Sequence, residues 1–176
     1  MRATQLLLSG ILSLILVPVS VAQQGPVSRT VRTMMLEEAG NLRAAAAAMP
    51  ADKYAFRPTP GQRSFGEIVV HIHDDNRTTC GTISGQAPPT EDRVPATASK
   101  ETLVAALTRS LEFCDTALAG ATDGALGDSV TWYGDRTVRA RALVGIVQDW
   151  ASHYSQLAMY LRLNGILPPT ARRAGT

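Results

Sequence analysis

The sequence predicts an all-α fold, a four-helix bundle, and three observations predict it. Four stretches carry apolar residues at helical spacing. Capping or stop residues bound them. The length that remains once a leader is set aside is that of one domain.

The leader comes first in the chain. Arg2 gives a positive start, Leu6 to Val17 is apolar, Pro18 breaks the run, and Ser20-Val21-Ala22 is a small-x-small cleavage pattern. About a dozen apolar residues fall short of the roughly 20 that a bilayer-spanning helix needs. Residues 1–22 are therefore expected to be a signal peptide, residues 23–170 the bundle and residues 171–176 a flexible tail. Cleavage after Ala22 leaves 154 residues and takes the formal charge from +2 to +1. A near-neutral chain without Lys/Arg clusters argues against nucleic acid or an anionic membrane as partner. The expected location is secreted or periplasmic.

The first helix is expected over about Ser28 to Met49, with Val31, Met35, Leu42 and the run Ala44 to Ala48, and Pro50 stops it. Ala51 to Arg63, with Pro58, Pro60 and Gly61, reads as an ordered loop. Ser64 and Glu67 make a capping-box pattern ahead of Ile68, Val69 and Ile72, and Gly85 stands where a C-cap glycine belongs. Ser99 caps a third helix marked by Leu103, Leu107, Leu111 and Leu118. Val130 to Val138 allows a small hairpin around Gly134-Asp135. The fourth helix, about Arg139 to Asn164, carries Leu143, Ile146, Trp150, Leu157 and Leu161 and ends at Gly165.

The connector Gly85 to Ala98 is long for an antiparallel helix pair, and is long enough to let the second and third helices run parallel. Cys80 lies 16 positions after Ser64, and Cys114 lies 15 after Ser99, so a parallel arrangement puts them at matching depth. In an oxidising compartment such a pair is expected to form a disulfide. The alternative is two buried free thiols.

The chain has three histidines. His71 sits between Val70 and Ile72 and is expected to point inward. His73 opens the polar run to Arg77 and is expected outward or at the rim, because residues two apart on a helix face apart. Asp149 and His153, four apart, share one face of the fourth helix. Two imidazoles and a carboxylate make a workable metal site with positions open for water or substrate. The plain alternative is that Asp149 only orients His153 and His71 is a core residue. No nucleophile elbow, phosphate loop or dinucleotide fingerprint is present.

Three segments resemble the DinB-like family: Met49 to Pro60 (MPADKYAFRPTP), Ser64 to His71 (SFGEIVVH) and His153 to Pro169 (HYSQLAMYLRLNGILPP). The resemblance implies an up-down-down-up bundle with parallel second and third helices. It also implies three metal-binding histidines, one on the second helix and an H-x-x-x-H pair on the fourth. His71 and His153 match two of these; Asp149 replaces the third and can itself ligate zinc, nickel or manganese. Ser155 stands where the family's glycine follows the His-Tyr pair. Family activities include metal-dependent thiol transfer and hydrolysis. Low-molecular-weight thiols are scarce outside the cytoplasm, so thiol transfer carries over poorly to an exported chain.

The sequence thus leads to an exported metal-binding bundle, a candidate metal-dependent hydrolase or transferase acting on an unknown small molecule. The rival is a non-catalytic ligand- or partner-binding bundle of the cell envelope with a degenerate site. A homodimer is a third expectation.

Overall fold

A computed structural model of the chain describes residues 25–90 and 93–173; the expected signal peptide lies outside them. The fold is mostly helical. In chain order it comprises α1 (Pro26–Ala48), α2 (Phe65–Ser84), α3 (Lys100–Leu118), a hairpin of β1 (Ser129–Trp132) and β2 (Asp135–Val138), α4 (Arg139–Leu163) and a short α5 (Pro169–Arg173). None of the described helices is long and apolar enough to cross a membrane.

Local chemistry sets most of these ends. The Ser64 side chain accepts from the Glu67 N–H while the Glu67 carboxylate accepts from the Ser64 N–H, and that hydrogen bond holds the Glu67 carboxyl below its ordinary pKa. Gly85, at φ 73°, takes the left-handed turn that closes α2. Ser99 caps α3 by accepting from the Thr102 N–H. The start of α1 has no side-chain cap of its own. Asp123, from the loop after α3, supplies it, accepting from the Ser28 N–H at 2.7 Å and the Val27 N–H at 3.2 Å. These bonds lower the Asp123 pKa, as expected for a carboxylate at a helix N-terminus.

One apolar core joins all four long helices through Leu42, Phe65, Ile68, Leu107, Leu111, Trp150 and Leu157, each 2% exposed or less. Ala45 and Ala46, from the alanine run, are fully covered, and Tyr54 donates its hydroxyl to the Ala46 carbonyl at 2.7 Å.

The contacts between α2 and α3 climb both helices in one sense. His73 Nδ1 lies 3.0 Å from the Ala106 carbonyl, Asn76 Nδ2 donates to Ser110 Oγ at 3.1 Å, and Cys80 is bonded to Cys114 across a Cα separation of 5.2 Å. The contacts between α2 and α4 run in opposite senses: His71 meets His153, whereas Asn76 meets Trp150.

His73 corrects the expectation from sequence. It is 1% exposed, not at the rim. The polar neighbours Asp74 and Asp75 suggested solvent, but the helical period decides otherwise. Positions 69, 73, 76, 80 and 83 form one buried stripe, and His73 falls inside it, against α3. The hairpin forms as a two-stranded antiparallel ladder, with its turn at Tyr133-Gly134 instead of Gly134-Asp135. The short helix α5 was not foreseen; Tyr154 and Thr170 hold it, their hydroxyls 2.7 Å apart.

Candidate metal centre

The three residues singled out from sequence come together where α2 packs on α4. The rings of His71 and His153 stand edge to face, 4.9 Å between centroids at 83°. His153 Nε2 lies 3.4 Å from Asp149 Oδ1, one helical turn earlier on α4. His153 is buried, and its Nδ1 has no hydrogen-bond partner. A buried, unmet imidazole nitrogen costs on the order of 1–3 kcal/mol, and so asks for an explanation.

His71 is half-buried at the edge of the pair. Burial pushes its pKa below the ordinary value, and the positive charge of Arg63 pushes the same way. Asp75 and Asp149 pull it back up. The net direction keeps the His71 imidazole neutral at physiological pH, the form in which it can ligate a metal.

Sequence reasoning missed two residues here. Asp75 follows His71 by four on α2, as Asp149 precedes His153 by four on α4. Because these helices are antiparallel, the two His/Asp pairs are mirrored across their contact. The i, i+4 spacing that drew attention to Asp149 was equally present at Asp75, but the run of polar neighbours hid it. The second missed residue is Tyr133, whose hydroxyl donates to Asp75 Oδ2 at 2.6 Å. Partial burial of the phenol, followed by that bond, raises its pKa. Asp75, Asp149, Thr79 and Tyr133 line one small cavity of about 10 Å³, the scale of a single water.

The hairpin delivers Tyr133 at some expense. Its two-residue turn has Tyr133 at φ 50° and Gly134 at φ 88°. Asn, Asp or Gly is the usual residue at the first of these positions. A left-handed backbone costs tyrosine on the order of 1 kcal/mol. The neighbouring Trp132 packs on α4 at Gly145, where any Cβ would strike the indole, and Arg141 stacks on the ring 4.4 Å from its centroid. Trp132, Arg141, Gln148, Asp149 and Ser152 border an open cleft of about 210 Å³. Asp149 and Tyr133 thus line both the cleft and the small cavity.

As they stand, no three His, Cys, Asp or Glu side chains among the described residues are grouped so as to hold a metal ion. The donor types do fit a borderline divalent cation: two imidazoles in contact, one with a buried unmet nitrogen, and a carboxylate on each helix. Binding would need a carboxylate to turn inward.

Solved structures share the fold. A DinB-like protein from Bacillus cereus superposes with a TM-score of 0.69 at 16% identity, covering 80% of this chain and 95% of that one. A DinB-like protein from Bacillus subtilis gives 0.62 at 18%, covering 77% and 92%. A conserved protein from Enterococcus faecalis gives 0.64 at 18%, covering 81% and 98%. No curated protein matches. The DinB superfamily model matches residues 35–157, most of the described fold, and the chain belongs to the DinB superfamily.

Proposed function

We propose that this chain is an exported divalent-metal-binding bundle of the up-down-down-up type, acting as a metal-dependent hydrolase or transferase on a small molecule. The observation that carries the reading is the contact of His71 with His153, two imidazoles 82 residues apart in sequence whose rings meet beside Asp149. His71 and His153 are the ligands and Asp149 the third, with zinc, nickel or manganese as the ion. Such an ion supplies Lewis acidity that makes water or a thiol a stronger nucleophile near neutral pH. The chain's own residues do the rest. His71 stays neutral, and Trp132 and Arg141 offer an aromatic ring and a positive charge to a substrate entering the cleft.

Export is supported by the leader pattern of residues 1–22 and by the Cys80–Cys114 bridge, which is compatible with an oxidising compartment.

Metal analysis of chelator-free protein tests the metal reading. One equivalent of zinc, nickel or manganese is expected in the native chain and its loss in His153→Ala. Absence of stoichiometric metal after loading removes the reading. The second reading, a non-catalytic ligand-binding bundle, is favoured by one observation: the donors are not closed around a point. It predicts that Asp149→Ala and His153→Ala leave metal content and heat stability unchanged.

A further inference from the structure

We propose that the cleft along α4 receives a small zwitterion, a free α-amino acid, with its carboxylate on Arg141 and its ammonium on Asp149. The inference rests on the cleft being where the substrate enters, as read above, and names the class of molecule that it takes.

Three observations carry it. First, the cleft follows one face of one helix. Arg141, Gly145, Gln148, Asp149 and Ser152 recur at helical spacing, and the hairpin adds Trp132 and Tyr133 to the lining. Second, the cleft carries one charge of each sign, and they are not paired with each other. Arg141 stacks on Trp132 but makes no hydrogen bond or ion pair with a described residue. Asp149 has His153 at 3.4 Å, and no lysine or arginine among the described residues lies within ion-pair distance of it. Third, the cation is held in place. Its Nη1 lies 2.9 Å from where a Cβ on Gly145 would stand, and the edge of the Trp132 ring lies closer still. Glycine at 145 admits both groups, and a planar guanidinium already stacked on an indole loses less freedom when it takes a carboxylate.

The spacing fits the ligand. Gly145 and Asp149 are one helical turn apart, roughly 5–6 Å between Cβ positions. An α-amino acid bears both charges on one carbon. With a charge-assisted hydrogen bond of about 2.8 Å at each end, it bridges a gap of that order. A ligand with a carboxylate alone is repelled by Asp149, and one with an amine alone by Arg141, so the cleft favours the pair. Gln148 and Ser152 add neutral hydrogen-bonding groups to the same face. Tyr133, 58% exposed, supplies an aromatic ring for the ligand's side chain. A volume of about 210 Å³ lies below the range of drug-sized ligands and suits a single amino acid.

The test titrates the full chain with L-phenylalanine by calorimetry, in chelator, where Asp149 is free of any ion. Two analogues separate the charges: 3-phenylpropanoate lacks the amine and phenethylamine lacks the carboxylate. Saturable binding of L-phenylalanine is expected, with each analogue about ten-fold weaker or more, the scale of one hydrogen bond to a charged group. Arg141→Gln and Asp149→Asn should each weaken L-phenylalanine to a similar degree. Asp149→Asn should at the same time strengthen 3-phenylpropanoate, a gain that a damaged fold would not give. If L-phenylalanine does not bind, if either analogue binds as tightly, or if Arg141→Gln leaves binding unchanged, the proposal is overturned. Zinc uptake is measured on separate chelator-free protein, so the metal reading stands or falls by its own assay.

Discussion

The two flanks of α2 carry the same kinds of residue and lead opposite lives. Toward α3 lie His73, Asn76 and Cys80; toward α4 lie His71 and Asp75. On the first flank each side chain bonds to a neighbouring helix. His73 faces the Ala106 carbonyl, Asn76 donates to Ser110 and accepts from the Trp150 indole at 2.7 Å, and Cys80 is bonded to Cys114. On the second flank an imidazole nitrogen on α4 is unmet, and a carboxylate is held by a residue from a distant hairpin. Histidine on a helix therefore says little until its flank is known. A ring that reaches a backbone carbonyl within the core is architecture, and a ring that meets a second imidazole beside a carboxylate is a place for chemistry.

The comparison makes unequal predictions for the two flanks. The largest effect belongs to the bridge. Replacing Cys80 and Cys114 together by alanine should cost about 3–4 kcal/mol in urea unfolding, from the loop of 34 residues it closes. Metal content should not change. Next, Asn76→Ala removes the junction of three helices, and should cost about 2–3 kcal/mol because Trp150 Nε1 loses its acceptor. A Tm unaltered by that change would break the contrast. On the open flank, His153→Ala should abolish metal binding in dialysis yet cost about 1 kcal/mol or less in the metal-free chain, since it removes an unmet nitrogen along with the ring. The smallest effect is in pH. The His71 pKa is lowered from 6.5 on folding, so the unfolded chain binds the proton more tightly. That contribution is intact above about pH 6.5 and is lost as pH falls through the folded value. Melts from pH 7.5 to 5 should therefore decline less steeply in His71→Gln than in the wild type.

Much of the scaffold was legible because its signals are local. Ser64 with Glu67, Ser99, Gly85 and Gly165 announce helix ends within four residues of where they act. Even the disulfide followed from a connector length and two depths along helices. The convergence of His71, Asp149 and His153 was also readable, because helical period and the DinB-like resemblance agreed on it. What escaped depends on distant partners. His73 was misjudged because the residues beside it in sequence are polar, whereas burial is decided by residues three and four away. Asn76 looks like one more surface amide until Trp150 and Ser110 meet it. Tyr133 gave no sign of reaching Asp75, since a hairpin turn has no period from which to tell where its tip will lie.

Asp123 has a consequence for time as well as for stability. The opening turn of α1 is capped by a carboxylate that lies 95 residues later than Ser28. Released from a ribosome or threaded across a membrane, the chain emerges amino end first, so α1 must wait, its first N–H groups answered only by water, until the loop beyond α3 has emerged. The earliest helix to be made is thus among the last to have its end secured. Replacing that one aspartate should be felt more in how quickly the chain finishes folding than in the shape it finally takes.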